Sequence, residues 1–304
     1  VVYPHMNSMG GDNFWLISDK NKDVTAIDSC GGAAKNASRE FYINQGFKTI
    51  PSRGPLAALT VPGAVAGWNA AYKFSVKELG GKLPLSRLLY DAEQTAREGI
   101  AVTNTLKNNL KSKLKQLIDI PGFKDIYIKN GKLPELGDKL LFPAMSKTFS
   151  NLIKNGFDDF YSGEISRDIT SDLEGLGSPL TELDFVDFKS TFVKPLELKV
   201  KGAKLFNIPP PTQGIASLMI LGVLDHLNNV YDSDFSFIHN IVEATKVVFK
   251  IRDNYICDPK YMKKDVNEFL INSFIEDLSK NVNPNKVLPW PDASVGGDTV
   301  WLGA

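Results

Sequence analysis

Val61-Pro62-Gly63-Ala64-Val65-Ala66-Gly67-Trp68 is where the chain changes period. From Ala64 onward, Val65, Trp68, Tyr72, Val76 and Leu79 recur at three and four residues, which is one face of a helix. Pro62-Gly63 marks its start and Gly80-Gly81 its end. Upstream the pattern is shorter. Phe14-Trp15-Leu16-Ile17, after Gly10-Gly11, reads as a buried strand, and Val24 to Ile27 as its hairpin partner across a turn in Asp19 to Asp23. Strands therefore hand over to a long helical middle at Val61 to Trp68.

Downstream, Leu85, Leu88, Leu89, Ala92 and Ala96 make a second stripe, with Pro84 near the first turn. A lysine-rich helix is predicted around Thr105 to Ile118. The four lysines between Lys107 and Lys115 read as its solvated face. Ser146 to Leu173 is predicted helical with interruptions near Gly156, and Thr181 to Phe188 forms a short acidic helix. Phe192 to Val200 alternates and reads as one strand, with Lys204 to Ile208 as its partner. Pro209 to Pro211 stop that strand, and Thr212 can cap the helix that carries the apolar run Ile215 to Leu224. Phe237, Ile241, Ala244, Val248 and Ile251 form a further stripe. Glu243, Lys246 and Lys250 lie off it, as in a surface helix. Val266, Leu270 and Phe274 open the last helix, Asn281 to Asp298 reads as loop, and Thr299 to Leu302 as the start of a strand.

Composition excludes several classes of function. Lys+Arg and Asp+Glu are both 35 in 304 residues, so the formal charge is zero. A nucleic-acid partner would require a basic surface. Cys30 and Cys257 form no disulfide framework, and with His5, His226 and His239 scattered, no metal site is expected. The apolar run Ile215 to Leu224 is about half of the ~20 residues that span a bilayer, so no membrane partner is expected either. His5 reads as a structural histidine bonding backbone, and His226 as a satisfied residue on an apolar helix.

Several motifs occur in an order that carries more than each does alone. Pro4-His5-Met6 with Gly10-Gly11-Asp12, then Val61 to Trp68, then Leu83-Pro84-Leu85 with Ala92, Ala96, Gly99 and Val102 follow one another. Pro209-Pro210-Pro211-Thr212-Gln213-Gly214 comes next, then Glu243-Ala244, Lys246, Arg252-Asp253 and Asp258-Pro259. Gly297-Asp298-Thr299 closes the series. In this order the chain resembles the large subunit of the γ-glutamyltransferase family, almost end to end. The resemblance implies an α+β fold, the four-layer αββα sandwich of N-terminal-nucleophile hydrolases. This chain would supply mainly the helical layers and part of one sheet, as one domain.

The same resemblance places an autocleavage junction between Asp298 and Thr299. Residues 1–298 would form the large-subunit region and 299–304 the start of the small subunit, with the rest lying beyond Ala304. The chemistry is coherent. A threonine hydroxyl is a weak nucleophile until a base takes its proton, and a free α-amine, with an ordinary pKa of ~7.7–8.0, can be that base. Cleavage before Thr299 creates nucleophile and base in one residue, and Gly296-Gly297 supplies backbone freedom beside the scissile bond.

The activity implied is self-cleavage followed by transfer of a γ-glutamyl group from an amide such as glutathione to water or an amine, without a cofactor. The partners implied are the protein's own small subunit and a small-molecule γ-glutamyl substrate; homo-oligomerisation is left open, and the cytoplasm is the expected compartment. One departure matters. Glutathione-type members carry an arginine that clamps the substrate's α-carboxylate, whereas the matching stretch, Ser29-Cys30-Gly31-Gly32-Ala33-Ala34, has none. Arg39 and Arg53 are the nearest arginines. Two alternatives therefore stay open, a broader amidase of the cephalosporin-acylase type and a non-catalytic paralogue.

Overall fold

A computed structural model of the chain describes residues 1–290, apart from residue 5 and residues 228–232. The chain opens with strands β1 (Asn13–Ser18) and β2 (Val24–Ser29). Helices α1 (Arg39–Asn44), α2 (Ala64–Glu78) and α3 (Leu85–Glu98) follow, then strand β3 (Ile100–Ala101) and helices α4 (Asn104–Leu117) and α5 (Phe123–Tyr127). Strand β4 (Lys139–Leu140) leads to α6 (Pro143–Asn155), α7 (Asp159–Ser162), α8 (Glu164–Gly175) and α9 (Glu182–Asp187). Strands β5 (Thr191–Val193), β6 (Leu196–Val200) and β7 (Ala203–Asn207) precede α10 (Gly214–His226) and α11 (Asp234–Tyr255). After two 3-10 turns the last described helix is α12 (Asn272–Ser279).

The chain divides into two compact units. The first contains Val1–Asn13 and Ser29–Ser190. Its core gathers Val65 from α2, Leu89 and Ala96 from α3, and Leu106 and Leu110 from α4 with Phe149, Phe160 and Phe185. The stripe predicted for α2 is seen at Val65, Trp68 and Tyr72, which pack on this core, while Val76 and Leu79 stay exposed. The stripe runs out because the helix outlasts the surface it covers. In α4 the Thr103 hydroxyl accepts the Leu106 N–H, a capping bond that satisfies one unpaired donor of the first turn. Leu106 and Leu110 face inward, and Lys111, Lys113 and Lys115 are exposed, as a solvated face requires. Helix α9 begins with a capping box between Thr181 and Asp184.

The second unit contains Phe14–Asp28 and the described residues after Ser190. Its three-stranded sheet has the order β1-β2-β5, and β2 and β5 are antiparallel with Ala26 opposite Val193 and Asp28 opposite Thr191. A separate hairpin joins β6 to β7 with Leu198 opposite Leu205. Leu196, Leu198, Ile215, Met219, Val223, Val248, Phe269 and Ile275 form the core, so the apolar run of α10 is buried as expected. Thr212 acts next to its predicted capping role: the hydroxyl accepts the Gly214 N–H, while Gln213 is the capping residue.

Four expectations are corrected here. The strand at Phe14 to Ile17 exists, but Phe14 and Leu16 are exposed, because β1 has only one covered face. The strand predicted over Phe192 to Val200 is two strands in two different sheets. Pro195 has no N–H to continue a ladder, so β5 ends before it and β6 starts after it. The helix predicted from Val266 is a 3-10 turn over Val266–Leu270, opened by a capping box of Asp265 and Glu268, and α12 begins only after Ile271. Finally, α11 is not a plain surface helix. Glu243 and Lys246, expected in water, are 1% and 2% exposed, whereas Phe237 is 41% exposed.

Candidate active site

Asp298 and Thr299, the predicted junction, lie outside the described residues, as do Gly296, Gly297 and His5. The structure describes the other segments that the sequence motifs single out. In the first unit, Gly10 to Asp12, Ser29 to Ala34 and Val61 to Trp68 meet. The Asp12 carboxylate accepts the Gly31 N–H at 2.8 Å, and Cys30 Sγ lies 3.6 Å from its other oxygen. Gly11 O accepts the Ala64 N–H at 2.8 Å, and Gly32 O accepts the Val61 N–H at 3.0 Å. The buried Ser29 hydroxyl donates to Gly63 O at 2.6 Å and stands 2.7 Å from the Ser190 hydroxyl.

These approaches explain two glycines. A Cβ at Gly31 would stand 1.6 Å from Val61 O, and one at Gly63 would stand 1.9 Å from Ser29 O. No side chain fits where two backbones run this close. The start of α2 is held by a residue far away in sequence. The Tyr161 hydroxyl donates to Pro62 O at 2.7 Å and accepts the Ala66 N–H at 2.9 Å. That N–H is one of the donors left unpaired at a helix start. Burial pushes the phenol's pKa well up, so it stays protonated and keeps donating.

The chemistry gathered at Ser29 to Ala34 is a thiol, a carboxylate and glycine backbone. Arg39 opens α1 and is exposed, and with Lys48 it lines a cavity of about 610 Å³ formed by α1 and the loop Gly46 to Ile50. Arg53 is exposed in the loop between α1 and α2, and donates to Ser52 O at 3.3 Å. Cys30 and Cys257 are not joined in a disulfide.

In the second unit, α11 grips the segment that leads to the predicted junction. Lys246 Nζ is 2.6 Å from Glu243 Oε1 and donates to Leu288 O at 2.7 Å. Glu243 Oε2 accepts the Leu288 N–H at 2.8 Å. One ion pair thus satisfies both polar groups of a single loop residue. Burial alone would push the Glu243 carboxyl up, but the Lys246 ammonium and the Leu288 N–H outweigh it and hold the carboxyl below the usual range. The Trp290 ring centroid lies 5.3 Å from Lys246 Nζ, within cation–π range.

Both described histidines lie against backbone, and for His226 this is the satisfied residue expected. His226 Nδ1 is 2.9 Å from Gly222 O, and His239 Nε2 is 2.9 Å from Asn283 O. The sequence presents Asp12 only as part of a motif and places Glu243 and Lys246 on a solvated helix face, and it gives no sign of Tyr161. Nothing in the run Phe157 to Tyr161 marks a tyrosine that straps a helix start roughly a hundred residues away. The i,i+3 spacing of Glu243 and Lys246 was the visible signal of an ion pair.

Known proteins match this arrangement over its whole length. The model of the gamma-glutamyltranspeptidase family matches residues 1–303. The oxamate amidohydrolase proenzyme of Klebsiella pneumoniae is 40% identical over 303 residues, which is 100% of this chain and 57% of that protein. A glutathione hydrolase-like proenzyme of Bacillus subtilis is 29% identical, over 99% of this chain and 56% of its own length. The chain thus spans about half the length of the curated relatives it matches. Among solved structures, the gamma-glutamyltranspeptidase of Helicobacter pylori superposes with a TM-score of 0.84 at 25% identity, covering 95% of this chain and 83% of that one. The fold is therefore the expected N-terminal-nucleophile αββα architecture.

Proposed function

This chain belongs to the gamma-glutamyltranspeptidase family, and from that premise we propose that it is the large-subunit part of a self-cleaving amidohydrolase whose nucleophile is Thr299. The Thr299 hydroxyl attacks the carbonyl of an amide while the α-amine freed by cleavage takes its proton. The leaving amine departs with that proton, and water releases the acyl group. The preferred substrate is a short amide of the oxamate class. The observation that carries this choice is the segment Ser29 to Ala34. Where a γ-glutamyl clamp would present a guanidinium, Cys30 and Gly31 bind the Asp12 carboxylate. A γ-glutamyl group holds its α-carboxylate several bonds from the scissile carbonyl and depends on a distant cation. A short acyl group such as that of oxamate keeps its carboxylate beside the carbonyl and has no need of one.

A second reading, γ-glutamyl hydrolysis or transfer from amides such as glutathione, is favoured by the 29% identity to the glutathione hydrolase-like proenzyme. Two measurements on the whole protein test the proposal, the first its junction and the second which of these readings holds. N-terminal sequencing of the smaller fragment should begin at Thr299, and Thr299→Ala should stay uncut. A panel of oxamate, γ-glutamyl-anilide and its decarboxylated analogue should then favour oxamate in kcat/KM. If γ-glutamyl-anilide is the better substrate and exceeds its decarboxylated analogue by more than about a hundredfold, worth ~2.7 kcal/mol, a cation such as Arg39 or Arg53 serves the α-carboxylate and the second reading holds.

A further inference from the structure

The grip of α11 on Leu288 is not explained by stability alone. A buried ion pair rarely outperforms well-packed apolar residues of the same volume, because both charges lose their water. Here both side chains are nearly dry, at 1% and 3% exposure, and their bonds converge on the N–H and the C=O of one loop residue. A loop residue held at both polar groups by charged partners is fixed in place and in orientation. The next residues reinforce this. Pro289 restricts its own backbone, and after it Trp290 lies over Lys246. Leu288 stands eleven residues before Thr299.

We propose that Glu243 and Lys246 are positioning residues for self-cleavage: their buried pair anchors Leu288 and so fixes the origin of the segment that carries the Asp298–Thr299 bond. This rests on the reading of Thr299 as the junction. In the cleavage step the Thr299 hydroxyl oxygen bonds to the Asp298 carbonyl carbon. The peptide C–N bond breaks, and the hydroxyl proton goes to the freed amine. Water then hydrolyses the resulting ester, leaving the Asp298 carboxylate and regenerating the hydroxyl. That attack needs oxygen and carbon held near ~3–3.5 Å, and a misplacement of ~1 Å can cost about a hundredfold in rate. An anchor at Leu288 shortens the stretch of chain over which that approach must be found, and so lowers its entropic cost.

The test follows self-cleavage of the whole protein, as the uncut fraction on denaturing gels over time, with N-terminal sequencing of the small fragment. Glu243→Gln, which keeps the shape, and Lys246→Met, which keeps the length, should each slow cleavage by about ten- to a hundredfold while still melting cooperatively. Lys246→Arg retains the charge and the donors, and should recover most of the rate. Wild-type rates in Glu243→Gln and Lys246→Met would overturn the proposal and leave the Thr299 junction standing. So would a Lys246→Arg variant as slow as Lys246→Met, since side-chain volume and not the charged grip would then be responsible. A wild-type fragment beginning elsewhere than Thr299 would remove the junction itself, and the proposal with it.

Discussion

Helices α4 and α11 carry the same pattern and meet different fates. Each sets an apolar stripe on one face and charges on the other. In α4 the charges Lys111, Lys113 and Lys115 stand in water. In α11 Glu243 and Lys246 are buried, while Lys250 remains exposed. The difference lies outside both helices. Lys111, Lys113 and Lys115 of α4 face solvent, whereas the loop at Leu288 lies over the polar face of α11 and supplies a backbone N–H and C=O as partners. A charged face is buried when the covering segment brings matched polar groups, and solvated when it does not.

The largest effect that tests this contrast is on stability. Glu243→Ala leaves an unpaired buried ammonium and should cost ~3–5 kcal/mol, whereas Lys113→Ala on α4 should change stability by no more than ~0.5 kcal/mol. Urea midpoints of the two variants would break the comparison if they coincide.

The first unit holds its own buried polar strap, and it sharpens the point. Tyr161→Phe should cost ~1–3 kcal/mol, because the buried Pro62 O and the partly buried Ala66 N–H lose a partner. Removing an exposed hydroxyl by the same measurement, as in Ser112→Ala on α4, should cost little.

A pH series tests the charged half of the contrast. The folded Glu243 carboxyl is held below its unfolded value, so the stability it adds is fully present above the unfolded pKa of ~4.3 and is lost as pH falls through the folded one. Asp184 behaves alike, its burial outweighed by bonds from Lys35 and Thr181. Glu243→Gln should therefore flatten the acid limb of the unfolding midpoint against pH, relative to wild type. An unchanged acid limb would show that the carboxylate is not held as described.

The smallest effect belongs to an exposed pair. Lys35 Nζ lies 2.5 Å from Asp187, but both side chains are more than half in water, at 69% and 58% exposure. Lys35→Ala should leave the unfolding midpoint where it was, since solvent screens such pairs. A clear drop would mean that distance counts for more than burial, against the contrast between α4 and α11.

Much of the fold was legible because local order follows local signals. The period that begins at Ala64, the prolines before Gly214 and the glycines after Glu78 mark helices that the structure contains. Errors fell where one local signal hid another. Alternation over Phe192 to Val200 masked the break that Pro195 imposes, and the apolar spacing from Val266 did not show that its first turn is 3-10. The site was legible as an order of motifs. Its wiring was not, because the bonds from Asp12 to Gly31 and from Tyr161 to Pro62 join residues that no spacing rule relates.

By itself the sequence determined the family, the succession of strands and helices, and the absence of an arginine between Ser29 and Ala34. All of these are properties of residue order, which holds whatever the chain packs against. Only the tertiary structure decided that Asp12 pins the Cys30–Gly31 segment, that Tyr161 straps the start of α2, and that Glu243 and Lys246 leave water to hold Leu288. A helix's periodicity records which side is apolar. Whether its other side meets solvent depends on a distant segment, and for α11 that segment follows Glu243 by forty-five residues.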